Sequence, residues 1–580
     1  MQINRFSLRL LLVCLSLIFS GCAQPQPITP TETPAVSATS GIQTTSSESK
    51  PTASAVATGG IWIRTNSADA STLNPILSSD TPSYDVEAML FPSLIGQDPF
   101  TGMPVPAGSM SESWDVSQDG LTWTFHLRKG VVWSDGKPVD ASDFKFTYGA
   151  IASDKVETPR KSNVEKIASI EAPDPLTIIV KFKEVKCDGL NDLGLPWLPS
   201  HLYAPDFSNV MTNTLNTEPK LSAGPFIFKS WIRDANLTLV RNTNYWEGEP
   251  HMEGMIYKVV PDPGAQLAQL QSGEVDVMNL NPDQVATANS DPKLNIFSFR
   301  DDGYDFIGLN LANPAHPQPG KDEKGNSIEQ EPHPILGDIR VRQAIAHALD
   351  YKSIIANVYL GQGYQIASNV LPVVTWAYDS TITPYETNLD QAKQLLDEAG
   401  WKESSSGDVR QKDGKKLSLT LIADAGNTAH EDLGAIVQQQ LYKIGFDIKF
   451  QTMEFGAEVN QLLGQTYDMA IIGWTGIGAD PNDDSLWRTD FDTPDSGFNF
   501  TSYHNPKVDE LLHKGVSVPG CKPEARAPYY REIQKIIHDD VPYVFITGGV
   551  RNIAYNKRWQ GLKPGAWNFY HNVRAWSLKP

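Results

Sequence analysis

Recognisable catalytic chemistry is scarce in this chain of 580 residues. No GxSxG elbow, HExxH pair, CxxC pair or GxxxxGK(S/T) loop occurs. That removes the common hydrolase, zinc-peptidase, redox and P-loop readings. The run GWTGIG at 473–478 contains GxxGxG but lacks the spacing of a dinucleotide loop. Basic charge is also short: 48 Lys and Arg stand against 68 Asp and Glu, a formal net charge of -20. Nucleic-acid binding needs basic patches, so this balance argues against it. Only four cysteines occur, and no ligand set repeats at metal spacing. Neither a metal nor any other cofactor is expected. Past residue 22 no long apolar run occurs, so the body is expected to be soluble.

What is present begins with an export segment. Arg5 and Arg9 precede an apolar run, Leu10–Phe19, too short to span a bilayer, which takes about 20 residues. Ser20-Gly21-Cys22 then reads as a bacterial lipobox, with Cys22 lipidated. Phe19 stands where an aliphatic residue is usual. Residues 23–58 are rich in Ser, Thr, Pro and Ala and cannot bury a core. They read as a disordered linker between membrane and body. Cys14 leaves with the signal and Cys22 carries lipid, so Cys187 and Cys521 remain in an oxidising setting. A disulfide between them is predicted.

The body, from about Gly59, exceeds one hydrophobic core, so two or more lobes are expected. The stretch 107–148 reads as a strand LTWTFHL entered through Asp119–Gly120, a second turn at Asp135–Gly136, and a helix opening near Ala141. Asp174–Pro175 turns another hairpin. A strand–helix–strand order near 254–280, with its helix over 265–272, predicts a parallel crossover. The proline-rich insert 313–334 reads as a solvated loop, with His316 and His333 in it. Asp338 caps a helix. Residues 417–473 read as β-α-β-α-β, with Thr428 and Glu431 as the capping box of the first helix. The last strand, YDMAIIGW, is nearly continuous in apolar residues, as in parallel sheets buried on both faces. Trp474-Thr475-Gly476-Ile477 and Asp480 follow it. Ligands bind at such carboxyl ends in open sheets, and Trp376 and Tyr84 are further aromatic pocket candidates.

The order of these elements, with the motifs AGSMSESWDVSQDGLTWTFHLRKGVVWSDGKPVDASDFKFTY, RNTNYWEGEP, LQSGEVDV, VRQAIAHALD, QAKQLLDEAGW, YDMAIIGWTGIGADP and DDVPYVF, closely resembles the family 5 extracellular solute-binding proteins. These are the peptide- and nickel-type receptors of ABC importers. The resemblance runs from about residue 60 to 578. It implies an α/β, type II periplasmic-binding-protein fold with two lobes and an extra subdomain around a ligand cleft. The expected divisions are 59–93 with 219–306 and 543–580 for one lobe, 94–218 for the subdomain, and 307–542 for the second lobe. The implied function is capture of peptides or a related solute by a lipid-anchored monomer that docks on an ABC permease and its ATPase. No catalysis is implied. An oligosaccharide or a metal complex remains an alternative cargo, and a secreted hydrolase is the rival from another class. In peptide-binding relatives an acid three positions after the GW tryptophan holds the peptide amino terminus. Here that position is Ile477, so a free amine is not expected to be anchored there.

Overall fold

The computed structural model describes residues 59–405, 407–476 and 478–579. The export segment 1–22 with Cys22, the 23–58 linker and Ile477 lie outside the described residues.

The described chain opens with β1 (Ile61–Asn66) and α1 (Thr81–Leu90), the latter capped by Asp80 accepting from the Ser83 amide. Then come β2 (Ser111–Val116), β3 (Thr122–Leu127), α2 (Ala141–Ala152), β4 (Ile167–Asp174) and β5 (Thr177–Phe182). The four strands form an antiparallel sheet in the order β2-β3-β5-β4. Alternation decides its inner face: Trp123, Phe125 and Leu127 are buried while His126 faces solvent. The helix starts where the sequence predicts, because Asp140 and Asp143 form a reciprocal capping box.

The next group is β6 (Phe226–Ile232), β7 (Asn236–Arg241), β8 (Gly254–Val259), α3 (Pro263–Ser272) and β9 (Val277–Leu280). The expected crossover is present, with β1 lying between β8 and β9 and parallel to both. A long strand, β10 (Leu294–Leu309), leads to α4 (Ile339–Ala348) and α5 (Leu389–Glu398). The βαβαβ segment follows as β11 (Ser418–Asp424), α6 (Thr428–Tyr442), β12 (Asp447–Met453), α7 (Phe455–Leu463) and β13 (Met469–Trp474). Helices α8 (Pro506–Val516) and α9 (Pro523–Asp540) precede a second long strand, β14 (Tyr543–Asn556).

Ten of these strands share one sheet, in the order β12-β11-β13-β10-β14-β9-β1-β8-β7-β6. Apolar burial divides along it. One core gathers Trp62, Trp123, Phe144, Leu237 and Trp576, so the four-stranded sheet shares its core with the β1 end of the main sheet. Two further cores gather around β11, β13, α6 and α9. The strands β10 and β14 connect the two halves. Leu294 and Ala554 belong to a small core at the β9 end, whereas Ile307, Leu309, Val544 and Ile546 belong to the far half. Their ladder loses register between Arg300 and Tyr304.

Two local expectations differ from the structure. The cap of α6 is Asn427, which accepts from the His430 amide, and Glu431 accepts instead from Gly426. Both Asn and Thr cap well, and the sequence has them side by side. His333 is buried rather than solvated: its ring meets Asp468 at 3.1 Å and accepts from the Leu336 amide at 2.9 Å. His316 does sit in solvent, paired with Glu331.

Candidate functional site

The site is built at the carboxyl end of β13. That strand is parallel to β11, which has β12 on its other side. The chain therefore passes from β11 out to β12 and back across to β13. Such a reversal leaves a crevice beyond the strand ends. The loop 474–482 begins there. Trp474 stacks near Phe306 and Phe500, with centroids 6.3 and 5.9 Å away, and Phe498 stands edge-on at 6.0 Å. Phe498 is 50% exposed, so an aromatic wall stays open to a ligand. Gly476 and Gly478 adopt φ +66 and φ +80, and open space lies where a Cβ of either would point. Thr475 is exposed beside them.

The loop is held rigid from behind. Arg526 on α9 is almost fully buried, and its guanidinium grips Asp480 through two bonds of 2.6 and 2.8 Å. The same guanidinium donates to the Gly515 carbonyl at 2.7 Å and to the Tyr530 hydroxyl at 2.8 Å. It also lies 5.1 Å from the Trp376 ring centroid. Trp376 in turn donates from Nε1 to the Ala479 carbonyl at 3.0 Å. Bidentate pairing of this kind fixes geometry as well as charge. Both oxygens of Asp480 are thereby engaged. Asp483, buried nearby and bonded by Asn369 at 3.2 Å, has its carboxyl pushed up to about 7 by burial.

The connecting strands supply further charge. Asp302 of β10 accepts from the Gly478 amide at 3.2 Å, one residue past Ile477. Burial pushes the Asp302 carboxyl upward, and Asp301 beside it adds to that. Asp301 pairs with Arg551 of β14 at 2.8 Å. On the far side of the connection, Asp85 of α1 meets Arg64 of β1 at 2.8 Å.

A second polar group lies at the end of β11. His430 sits between Asp424, bonded to Nδ1, and Asp305, 3.7 Å from Nε2. Burial pulls the imidazole pKa down, but the two carboxylates outweigh it and the net shift is upward. Glu458 of α7 is buried near them, and among the described residues neither of its oxygens has a hydrogen-bond partner. Burial pushes its carboxyl up to about 7, Asp424 adding to the shift.

Of the sequence candidates, Trp376, Trp474, Thr475, Gly476 and Asp480 come together. Tyr84 stands on α1, 56% exposed. Among the described residues no hydrogen bond or ring contact joins it to the loop. Arg526, Asp302 and the His430 group escaped the sequence reading. The one available signal was Asp301-Asp302-Gly303, a turn-like triplet inside an otherwise strand-like run. Cys187 and Cys521 are joined, with Cα atoms 5.0 Å apart. A separate hollow of about 610 Å³ lies against α2 and β4, lined by Lys145, Phe146, Ile167, His201 and Phe207 among others. None of the sequence candidates lines it.

Residues 106–496 match the bacterial extracellular solute-binding proteins, family 5 (middle region). This chain belongs to that family. Family 5 proteins are extracytoplasmic binding proteins rather than enzymes. Among the described residues no helix is long and apolar enough to cross a membrane. The family 5 chain is 29% identical over 550 residues to the oligopeptide-binding protein AppA of Bacillus subtilis, covering 94% of this chain and 96% of that one. The structure of AppA in complex with a nonapeptide aligns over 90% of this chain and 99% of AppA, with a TM-score of 0.66. HbpA2 of Haemophilus parasuis, 22% identical, aligns over 90% and 100% with a TM-score of 0.75. The dipeptide-binding protein of Escherichia coli is 24% identical over 500 residues, 82% of this chain and 86% of that one. The fold is the α/β, type II periplasmic-binding-protein fold.

Proposed function

We propose that this family 5 protein captures peptides outside the cytoplasmic membrane and delivers them to an ABC permease driven by its ATPase. One observation carries the reading. The strand-end loop leaves open space where a Cβ of Gly476 or Gly478 would point; it begins at the Trp474–Phe498 pair and is bonded at Gly478 by the Asp302 carboxylate. Backbone with no side chain in the way accepts another backbone at close range. An aromatic wall accepts varied side chains. The likeness to AppA supports a peptide as the occupant. In this reading Trp474, Thr475, Gly476 and position 477 meet the ligand. Asp480 and Trp376 hold the loop, and Tyr84 faces the ligand from the β1 half. The divisions 59–93 with 219–306 and 543–580, 94–218, and 307–542 act as lobe, subdomain and lobe. Cys22 carries the lipid that keeps this monomer at the membrane.

Position 477 carries Ile where peptide-binding relatives have an acid, and Asp480 is taken up by Arg526; the carboxylate bonded to the amide that follows Ile477 is Asp302. A peptide amine meets that group, or the peptide lies in another register. Native mass spectrometry of the purified chain weighs whatever it carries. Calorimetry with free and N-acetylated peptides of the same sequence then tests the contact. Binding that weakens on acetylation, and weakens equally in Asp302→Asn, supports the amine contact. Equal binding of both peptides removes it and leaves a different register. Failure of every peptide, with a sugar or metal complex found bound, overturns the peptide reading. Mass analysis of the membrane fraction, with release of Cys22→Ala protein to the medium, tests the anchor.

A further inference from the structure

The Cys187–Cys521 bond lies between parts of the molecule that the chain connects only distantly. Cys187 follows β5, in the segment whose sheet shares its core with β1. Cys521 lies in the turn between α8 and α9, whose Leu511, Leu512, Tyr530 and Ile533 build a core of the other half. The sulfur bond therefore crosses from one half to the other, 334 positions apart in sequence. Its surroundings cross as well. The Cys187 amide donates to the Val516 carbonyl at 3.0 Å. Asn482, at the end of the site loop, donates to Asp188 at 3.2 Å. A Cβ built on Gly102 would stand 2.5 Å from the Ala479 methyl, so the turn at Gly102 lies directly against the loop.

The second crossing is the β10–β14 pair. The loop 474–482 runs from one crossing to the other. It starts at Trp474, paired with Tyr304 of β10, and ends at Asn482 beside Asp188. Two bodies joined at one flexible point can both hinge and twist. Joined at two points, they rotate only about the line between them.

We propose that the Cys187–Cys521 bond is a second hinge post, which confines opening of the cleft to rotation about the line of the 474–482 loop. This rests on the reading of that loop as the solute site. Residues near a rotation axis move least. The loop and the 98–103 turn on it stay together when the cleft opens, and solute enters from the opposite margin. One end of the ligand is then received at a fixed, covered seat.

The test compares the full chain with its Cys187→Ser/Cys521→Ser variant, both free of ligand. Circular dichroism checks the fold, and hydrogen exchange and small-angle scattering read the motion. The expected result is exchange roughly tenfold faster at 98–103 and 478–482, with a larger radius of gyration, in a chain that keeps its fold. Phosphine reduction of the folded wild-type chain gives the same comparison without a substitution. Unchanged exchange and radius in either folded, bond-free form overturns the proposal. No ligand enters this readout. A chain that loosens yet binds no peptide keeps the hinge and loses the solute reading; the reverse result does the opposite.

Discussion

Glu458 stands buried with neither carboxylate oxygen bonded among the described residues, and burial pushes its carboxyl up to about 7. A carboxyl near 4.5 when unfolded and near 7 when folded holds its proton longer in the native state. Its stabilising effect is complete below the unfolded value and is lost as pH rises through the folded one. By pH 8 that loss is about 3 kcal/mol. Glu458→Gln removes the titration. Urea unfolding is expected to show the variant more stable than wild type at pH 8, with the gap closing toward pH 4.5. A gap independent of pH would mean that the carboxyl ionises normally. Arg526 offers the opposite case. Its guanidinium is paired with Asp480 and makes two further bonds. Arg526→Ala leaves Asp480 as an uncompensated buried charge, at a cost of about 3–5 kcal/mol. Part of that cost is expected to return in the Arg526→Ala/Asp480→Asn double variant. Simple additivity of the two substitutions would show that they are not coupled.

Where elements meet, backbone proximity decides more than side-chain character. Gly224, in the sequence SAGPF, donates its amide to the Leu90 carbonyl at the end of α1. A Cβ there would lie 2.3 Å from the Met89 carbonyl oxygen and 2.8 Å from its carbon. Those atoms are helix backbone and cannot swing aside. Gly224→Ala is expected to destabilise by about 1–3 kcal/mol, the usual cost of overpacking, or more. Denaturant titration measures it, and a loss below about 0.5 kcal/mol would mean that the junction between α1 and β6 gives way. The glycine was visible in the sequence as part of a motif, but the carbonyl it must clear was not. The same limit recurs elsewhere. Strand alternation at Trp123–Leu127, the crossover over 254–280 and the βαβαβ order were legible because their signals are local. The His430 group was not: its carboxylates come from β10, β11 and α7, and only the tertiary fold brings them to one ring. Arg526 and Asp480 carry no sign of each other at a separation of 46 residues. His333 read as loop because its partner Asp468 lies 135 positions away.

At the scale of the whole molecule the important fact is that one sheet runs through both halves. The strands β10 and β14 carry it across, and their ladder breaks between Arg300 and Tyr304. A stretch of ladder that is out of register bends more readily than a regular one, and Asp301, Asp302 and Gly303 occupy that stretch beside the 474–482 loop. Trp474 pairs with Tyr304 immediately past the break, and Gly478 donates to Asp302 within it. With that loop as the proposed solute site, bending there and filling the site would be coupled through shared residues. A ligand gripped by both halves favours the bent, closed form by its difference in affinity for the two forms. Saturation with a bound peptide is expected to lower the radius of gyration and slow amide exchange at 301–303 and 548–549. Exchange in the intact ladder at 294–300 should stay as it was. The native state should gain about 2.7 kcal/mol at a ligand concentration 100 times Kd. If peptide raises stability by that amount while exchange at 301–303 is unaltered, binding is confined to one half and the break in the ladder is not the hinge.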